Sequence, residues 1–482
     1  MRRLLTIVFT TLIPVLTSAQ PIGIGSKLYT ENVLLGHLAS QSLEEAGFRT
    51  IHNEQLGGTR ILWNALLSGS IDVYPDYTGT IAEEILADRD IRDRQDLVDA
   101  LAEYGVGMTG ETGFNNTYAL GMRRALAEER GIETVSDLRE HPDLRFGFSN
   151  EFMERADGWP GVSAEYGLSP ASVTGLEHAL AYRGIASGDI DVVDLYSTDP
   201  EIAYYDLVAL RDDRNFFPDY EAVFLYRNTL PAAAVAALRR FEGVIDEITM
   251  MNMNAAVKLD LRDDAMVAGQ FMNERFGIES AQVVNGLWQR LLRNTLDHLN
   301  LVAISLGMAI LTAIPLGILA ARIRSLETLL LGFTGILQTI PSLALLVLMI
   351  PLFGIGALPA IVAMFLYSLL PIVRNTHAGL KQIPVTVTES ARALGLPDGL
   401  ILRRVELPMA IPSILAGIKT SAVMNVGVAT LGALIGAGGY GQPILTGIRL
   451  DNVPMILEGA IPAAVLALLV QGLFDLVEKR LT

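Results

Sequence analysis

Between residues 299 and 477 the chain is apolar in five runs, at about 299–321, 328–352, 357–378, 410–436 and 454–477. A bilayer core of about 30 Å is crossed by about 20 apolar helical residues, so each run is long enough to span it. Backbone polar groups in lipid must be satisfied internally, and for runs of this length a helix does so. Residues 299–482 are therefore expected to form an all-α polytopic membrane domain of about five transmembrane helices embedded in the lipid bilayer. Residues 281–298 include Arg293, Asn294 and His298 but no Pro/Ser/Gly run, and read as a short helical connector. His298 is expected there as an interfacial side chain rather than a ligand.

The charges are split along the chain. Residues 1–289 hold 23 Lys+Arg against 44 Asp+Glu, whereas residues 290–482 hold 13 against 9. An acidic water-facing part joined to a slightly basic apolar part argues against nucleic acid and for a membrane protein with a large soluble domain. Cysteine is absent, which excludes disulfides, thiolate catalysis and Cys-ligated metal. Six scattered His without H-x-x-x-H or H-E spacing give no expectation of a metal site.

Residues 1–19 read as an export signal: Arg2 and Arg3, an apolar stretch from Leu4 to Leu16, then Thr17-Ser18-Ala19. Cleavage after Ala19 is the preferred reading and retention as an anchor the alternative. Residues 20–280 follow as a soluble domain. Short β-like runs (Ile22 to Gly25, Arg145 to Phe148, Asp191 to Leu195) alternate with amphipathic stretches such as Thr30 to Ala46 and Thr174 to Gly188. That alternation suggests parallel sheets covered by helices, in two α/β lobes with a ligand cleft between them. If this domain faces outward, the cytoplasmic ends of the spans carry Arg322, Arg324, Arg374, Lys381, Arg392, Arg403, Arg404, Lys479 and Arg480, as the positive-inside rule requires.

Residues 389–408, ESARALGLPDGLILRRVELP, form a charged segment between apolar runs with the pattern E-S-A-x3-G-x9-V-x-L-P. It resembles the coupling loop of ABC importer permeases, E-A-A-x3-G-x9-I-x-L-P, with Ser390 for Ala and Val405 for Ile. The resemblance implies a helix, a turn and a second helix that dock on a separate cytoplasmic ATPase, using Glu389, Ala391, Gly395, Leu407 and Pro408. Gly395 permits a sharp turn, and Pro408 is expected to stop the next segment.

Five further motifs extend the resemblance over nearly all of residues 21–280: GSKLYTE (25–31), YPDYTGT (74–80), NNTYAL (115–120), EFMER (151–155) and YSTD (196–199). They are similar to the substrate-binding proteins of glycine betaine/choline (osmoprotectant) ABC importers. The chain is thus expected to be a fused importer subunit: an α/β two-lobed periplasmic-binding-protein-like (type II) domain followed by the permease. The resemblance implies an aromatic cage of Tyr77, Tyr118, Tyr196 and Tyr220 for a quaternary ammonium solute, with Lys27, Thr80 and Arg155 at its carboxylate end. A trimethylammonium has no N–H to donate and is held by aromatic faces, each worth about 0.5–2 kcal/mol. Asn116 stands where an acidic group would add attraction, and Trp63 and Trp159 are alternative walls.

Within the spans, Pro341 breaks the backbone ladder, marking either a pathway lining or a kinked, packed helix. Residues 432–441, GALIGAGGYG, are expected at the outer end of the fourth span, near the soluble domain. Glu458 is placed near the outer end of the fifth. No G-x-x-x-x-G-K-[ST] occurs, so the chain is not expected to be an enzyme or to hold a cofactor; ATP and Mg would sit on the partner ATPase. Two permease copies, or this one and a second permease, are expected to pair across the pore in a bacterial cytoplasmic membrane. The rival readings are an importer of another cationic or amino-acid solute and a membrane solute sensor.

Overall fold

A computed structural model describes residues 20–279, 286–450 and 452–481. The signal reading for residues 1–19 and the first part of the connector (281–285) lie outside the described residues.

Ten strands build two five-stranded sheets: β1 (Ile22–Gly25), β2 (Thr50–Asn53), β3 (Val73–Tyr77), β4 (Val106–Met108), β5 (Tyr118–Arg123), β6 (Arg145–Ser149), β7 (Ser172–Leu176), β8 (Val192–Tyr196), β9 (Leu207–Ala209) and β10 (Ala222–Arg227). The first sheet has the order β2-β1-β3-β10-β4 and the second β7-β6-β8-β5-β9. The sheets are mixed rather than parallel: β10 is antiparallel to β3 and β4, and β5 to β8 and β9. The cause is the path of the chain, which leaves the first lobe after β4 and returns to it at β10. Strand periodicity reports alternation but not direction.

The two crossing segments pair as a narrow ribbon. Thr112 N–H donates to Ala222 O at 2.8 Å and Asn116 N–H to Tyr220 O at 3.0 Å. This is a double hinge with the cleft beside it. The amphipathic stretch expected from Thr174 begins as strand β7, and the helix runs only over His178–Ser187. Helix α1 (Thr30–Glu45) crosses behind the first sheet and packs on α2 (Asp264–Phe276).

The membrane part begins with α3 (Leu287–Arg322), which fuses the second part of the expected connector to the first span in one 36-residue helix. It continues with α4 (Arg324–Thr339), α5 (Ser342–Phe353), α6 (Ala357–Lys381), α7 (Val385–Ala393), α8 (Leu407–Leu431), α9 (Gly441–Arg449) and α10 (Val453–Leu481). Among the described residues, four segments are long and apolar enough to cross a membrane, and α4 with α5 makes a fifth bent by 99° at Ile340–Pro341. The Tyr367 hydroxyl donates to the carbonyl of Ile340, so an acceptor freed by the break is satisfied. His298 is fully buried instead of interfacial, its Nε2 3.0 Å from the Val426 carbonyl and its ring 4.7 Å from that of Tyr440.

The binding domain and residues 389–408 lie at opposite ends of the helical bundle. At the near end, Gln55 Nε2 donates to Thr446 Oγ1 at 2.8 Å, Leu450 joins the core of the binding domain, and Ile355 packs against the first lobe. Gly436, at φ +76°, comes so close to Leu56 that an added Cβ would lie 2.9 Å from its methyl. At the far end Arg322 pairs with Glu406, and Lys381 reaches Glu327 at 3.6 Å.

Candidate solute-binding site

The expected cage tyrosines stand at strand ends that face the cleft. Tyr77 closes β3, Tyr118 opens β5, Tyr196 closes β8 and Tyr220 precedes β10. Tyr118 and Tyr196 are direct partners in the antiparallel ladder, which sets their rings 5.1 Å apart. Tyr118 also meets Tyr220 edge-on at 5.4 Å and Phe152 at 5.1 Å. Gly79 makes room for this arrangement, because a Cβ there would fall 2.7 Å from the Tyr220 ring. A fifth ring joins them: Tyr29, at the start of α1, lies 5.6 Å from Tyr196 and 6.4 Å from Tyr77. Trp63 and Trp159 are elsewhere, against Tyr104 and against Phe146 and Phe148.

Glu31 is the residue that sequence reasoning passed over. Its carboxylate is buried and accepts hydrogen bonds from Tyr77 Oη at 2.6 Å, Asn116 Nδ2 at 2.7 Å and Asn254 Nδ2 at 3.0 Å, and from Thr198. Burial raises its pKa and these hydrogen bonds oppose that rise. Asn116 therefore supplies no charge itself but helps hold one. The signal was present, since Glu31 is the last residue of the GSKLYTE motif.

Lys27 and Arg155 are buried beside the rings, 5.8 Å from the centre of Tyr77 and 5.7 Å from that of Tyr118. Both are already matched within the chain. Lys27 Nζ donates to Asp76 Oδ1 at 2.6 Å and to Thr59 Oγ1 at 2.9 Å. Arg155 holds Asp157 through Nε at 2.7 Å and Glu84 through Nη1 at 2.8 Å, while Tyr220 Oη donates to Asp157 at 2.5 Å. Thr80 is buried in the turn after β3, and among the described residues it makes no side-chain hydrogen bond to the cage. Glu31, Asp76, Glu84, Glu151 and Asp157 thus surround Lys27 and Arg155 in this part of the cleft.

Several contacts join the lobes across the cleft. Glu84 meets Arg155, Glu31 meets Thr198, and Lys258 reaches Asp199 at 3.1 Å and Glu201 at 2.7 Å. His178 sits 3.0 Å from Asp199 and 3.6 Å from Asp194; burial works against its charge, yet these two carboxylates prevail and push its pKa up to about 10. A cavity of about 160 Å³ remains beside the cage, lined by Tyr29, Glu151, His178, Tyr196 and Lys258, with Arg449 from the membrane part at its edge.

At the far end, α7 and a short helix from Asp398 flank Gly395, whose φ of +79° is the left-handed value that favours glycine. Ala391 is buried under this turn, while Glu389 is exposed. Leu394 and Val385 are 80% and 66% exposed. Pro408 does not stop the segment: it lies in the first turn of α8, and the wider turn Leu402–Glu406 before it carries the helix through.

Residues 20–274 match the family described as the substrate-binding domain of ABC-type glycine betaine transport systems, and residues 313–482 the binding-protein-dependent transport system inner membrane component. The osmoprotectant import permease protein OsmW of Salmonella typhimurium is 47% identical over 193 residues, covering 39% of this chain and 90% of that one. The glycine betaine/carnitine/choline transport system permease protein OpuCB of Bacillus subtilis is 41% identical over 192 residues, 40% of this chain and 88% of that one. A solved structure described as a glycine betaine/carnitine/choline ABC transporter is similar at 28% identity and a TM-score of 0.46, covering 52% of this chain and 98% of that one. The chain belongs to the glycine betaine transport family of binding domains and, carrying its own inner-membrane component, makes up the substrate-binding and permease parts of an ABC importer.

Proposed function

We propose that the cleft captures a quaternary ammonium solute of the glycine betaine, choline or carnitine type and that the permease passes it inward. The observation that carries this reading is the group of five tyrosines, Tyr29, Tyr77, Tyr118, Tyr196 and Tyr220, packed ring to ring, with Tyr77 donating to the buried carboxylate of Glu31. Ring faces and a nearby anion are what a cation without N–H donors needs. The rings touch one another, so a trimethylammonium lodged among them requires Tyr29, Tyr118 and Tyr196 to part, entering from the adjoining cavity. Within the binding lobes alone, the carboxylates of Glu31, Asp76, Glu84, Glu151 and Asp157 favour a solute that carries a positive charge.

The binding domain faces outward in this reading, and the arginine-rich end of the bundle with residues 389–408 faces the cytoplasm. A separate ATPase docks there, its groove covering Leu394 and Val385 and meeting Glu389, Ala391, Gly395, Leu407 and Pro408. ATP and Mg belong to that subunit. Pairing of two permease copies is supported by α10, of which only 6% of the apolar window is buried within the chain. The test is calorimetric titration of the full chain in nanodiscs with choline, glycine betaine and proline betaine, with glutamate and arginine as controls. Saturable binding of the quaternary amines alone is expected; binding of the controls alone, or of nothing, removes the substrate assignment.

A further inference from the structure

Arg449 ends α9, on the permease side of the docking surface, yet it borders the cleft of the binding domain. It is 7% exposed. Its Nη1 and Nη2 donate to the two Asp264 oxygens at 2.9 and 2.7 Å, and Nη1 also reaches Thr30 Oγ1 at 3.1 Å. Thr30 follows Tyr29 directly, so the guanidinium lies one residue from the cage. The Nε–H is buried and, among the described residues, has no acceptor. Native buried donors are nearly always paired, so one left unpaired at the edge of a ligand cavity points to an acceptor that arrives with the ligand.

Arg449 is itself paired with Asp264, but Lys27, Arg155 and Lys258 have no buried nitrogen without a partner among the described residues. Lys27 is taken by Asp76, Arg155 by Asp157 and Glu84, and Lys258 by Asp199 and Glu201. A betaine places a carboxylate a few bonds from its ammonium, and the binding lobes by themselves offer it mostly other carboxylates. We propose that Arg449, supplied by the permease, is the residue that meets the oxygen end of the solute, its Nε–H donating to the carboxylate while the tyrosines hold the ammonium. This rests on the cage reading and adds a specificity residue from the second domain. Docking then completes the site, and it favours carboxylate-bearing betaines over choline, whose hydroxyl is a weaker acceptor than a carboxylate.

The experiment is a competition of glycine betaine against choline on the full chain in nanodiscs, comparing the wild type with Arg449→Met and Thr446→Val. A ratio of affinities from one sample is insensitive to any misfolded fraction. Arg449→Met is expected to weaken glycine betaine about ten-fold and choline less than two-fold, a charge-assisted hydrogen bond being the difference. Thr446→Val, which removes only the contact with Gln55, is expected to leave the ratio unchanged. An unmoved ratio in Arg449→Met, or an equal shift in Thr446→Val, overturns the assignment of Arg449 while the cage stands. A wild-type chain that binds neither solute overturns the cage reading itself.

Discussion

The solute cleft and the coupling segment handle their polar and apolar groups in opposite ways. In the cleft nearly every charge is buried and matched inside the chain, as with Lys27 and Asp76 or Arg155 and its three acids. In the coupling segment the reverse holds: Arg392 makes an exposed pair with Asp398, and Leu394 and Val385 stand in the open. A site that must close on a small solute is self-complementary before the solute comes. The uncovered apolar area of Leu394 and Val385 is what the proposed docking of another subunit would bury.

The largest effect that separates the two regions concerns stability. Arg155→Met leaves the buried Asp157 and the half-buried Glu151 without their cation, while Glu84 keeps Arg60 at 3.7 Å, and breaking a buried ion pair costs about 3–5 kcal/mol. Chemical denaturation of the variant should show that loss; unaltered stability together with lost betaine binding would make Arg155 a ligand contact instead of an internal strut. Next in size, Tyr196→Ala should weaken choline about 10- to 30-fold by calorimetry, the value of a desolvated aromatic face. An unaffected affinity would remove Tyr196 from the cage.

A smaller effect is expected from pH. The His178 pKa is raised from 6.5 to about 10, so its contribution is complete below about 6.5 and is lost as pH rises through about 10. Burial raises the pKa of the neighbouring Tyr196 and Tyr182, so those phenols do not titrate first. The melting temperature of the wild type should fall between pH 7 and 10 more steeply than that of His178→Asn. Parallel curves would mean that the buried group of His178, Asp194 and Asp199 does not stabilise the second lobe.

Smallest in stability is Leu394→Asp, expected within about 0.5 kcal/mol of the wild type because nothing inside the chain covers that side chain. The same change should abolish solute-stimulated ATP hydrolysis in the reconstituted complex. Full coupling in that variant would break the contrast between the two regions.

The coupling segment was legible because its pattern is contiguous: helix, Gly395 turn and helix are all local decisions, and Gly395 takes the conformation that glycine tolerates. Pro408 was misjudged because a π-type turn before it satisfies what the missing N–H forfeits. Tyr77, Tyr118 and Tyr196 were legible because each lies in its own short motif, whereas Tyr220 lies in none of them and Tyr29 was passed over inside GSKLYTE. Their charge partners were not, since Asp76 and Lys27 are 49 residues apart and Glu84 and Arg155 are 71. The first pair exists only once the first lobe has folded, the second only once the two lobes have closed. Strand periodicity gave no sign that β5 and β10 run against their neighbours, and apolar length alone showed a second span but not its 99° bend.

Helix α3 runs unbroken from Leu287, beside the binding domain at a cavity that Arg290 and Arg293 share with His37 and Asp263, to Arg322 at the far end. Only residues 277–286 separate it from α2. A link of that length spans at most about 35 Å and keeps the domain at a local concentration on the order of millimolar. Docking contacts can then be weak enough to part in every cycle and still re-form before a free competitor arrives. Uptake in such a machine is limited by how fast the cleft fills and empties, not by how many binding proteins the compartment holds.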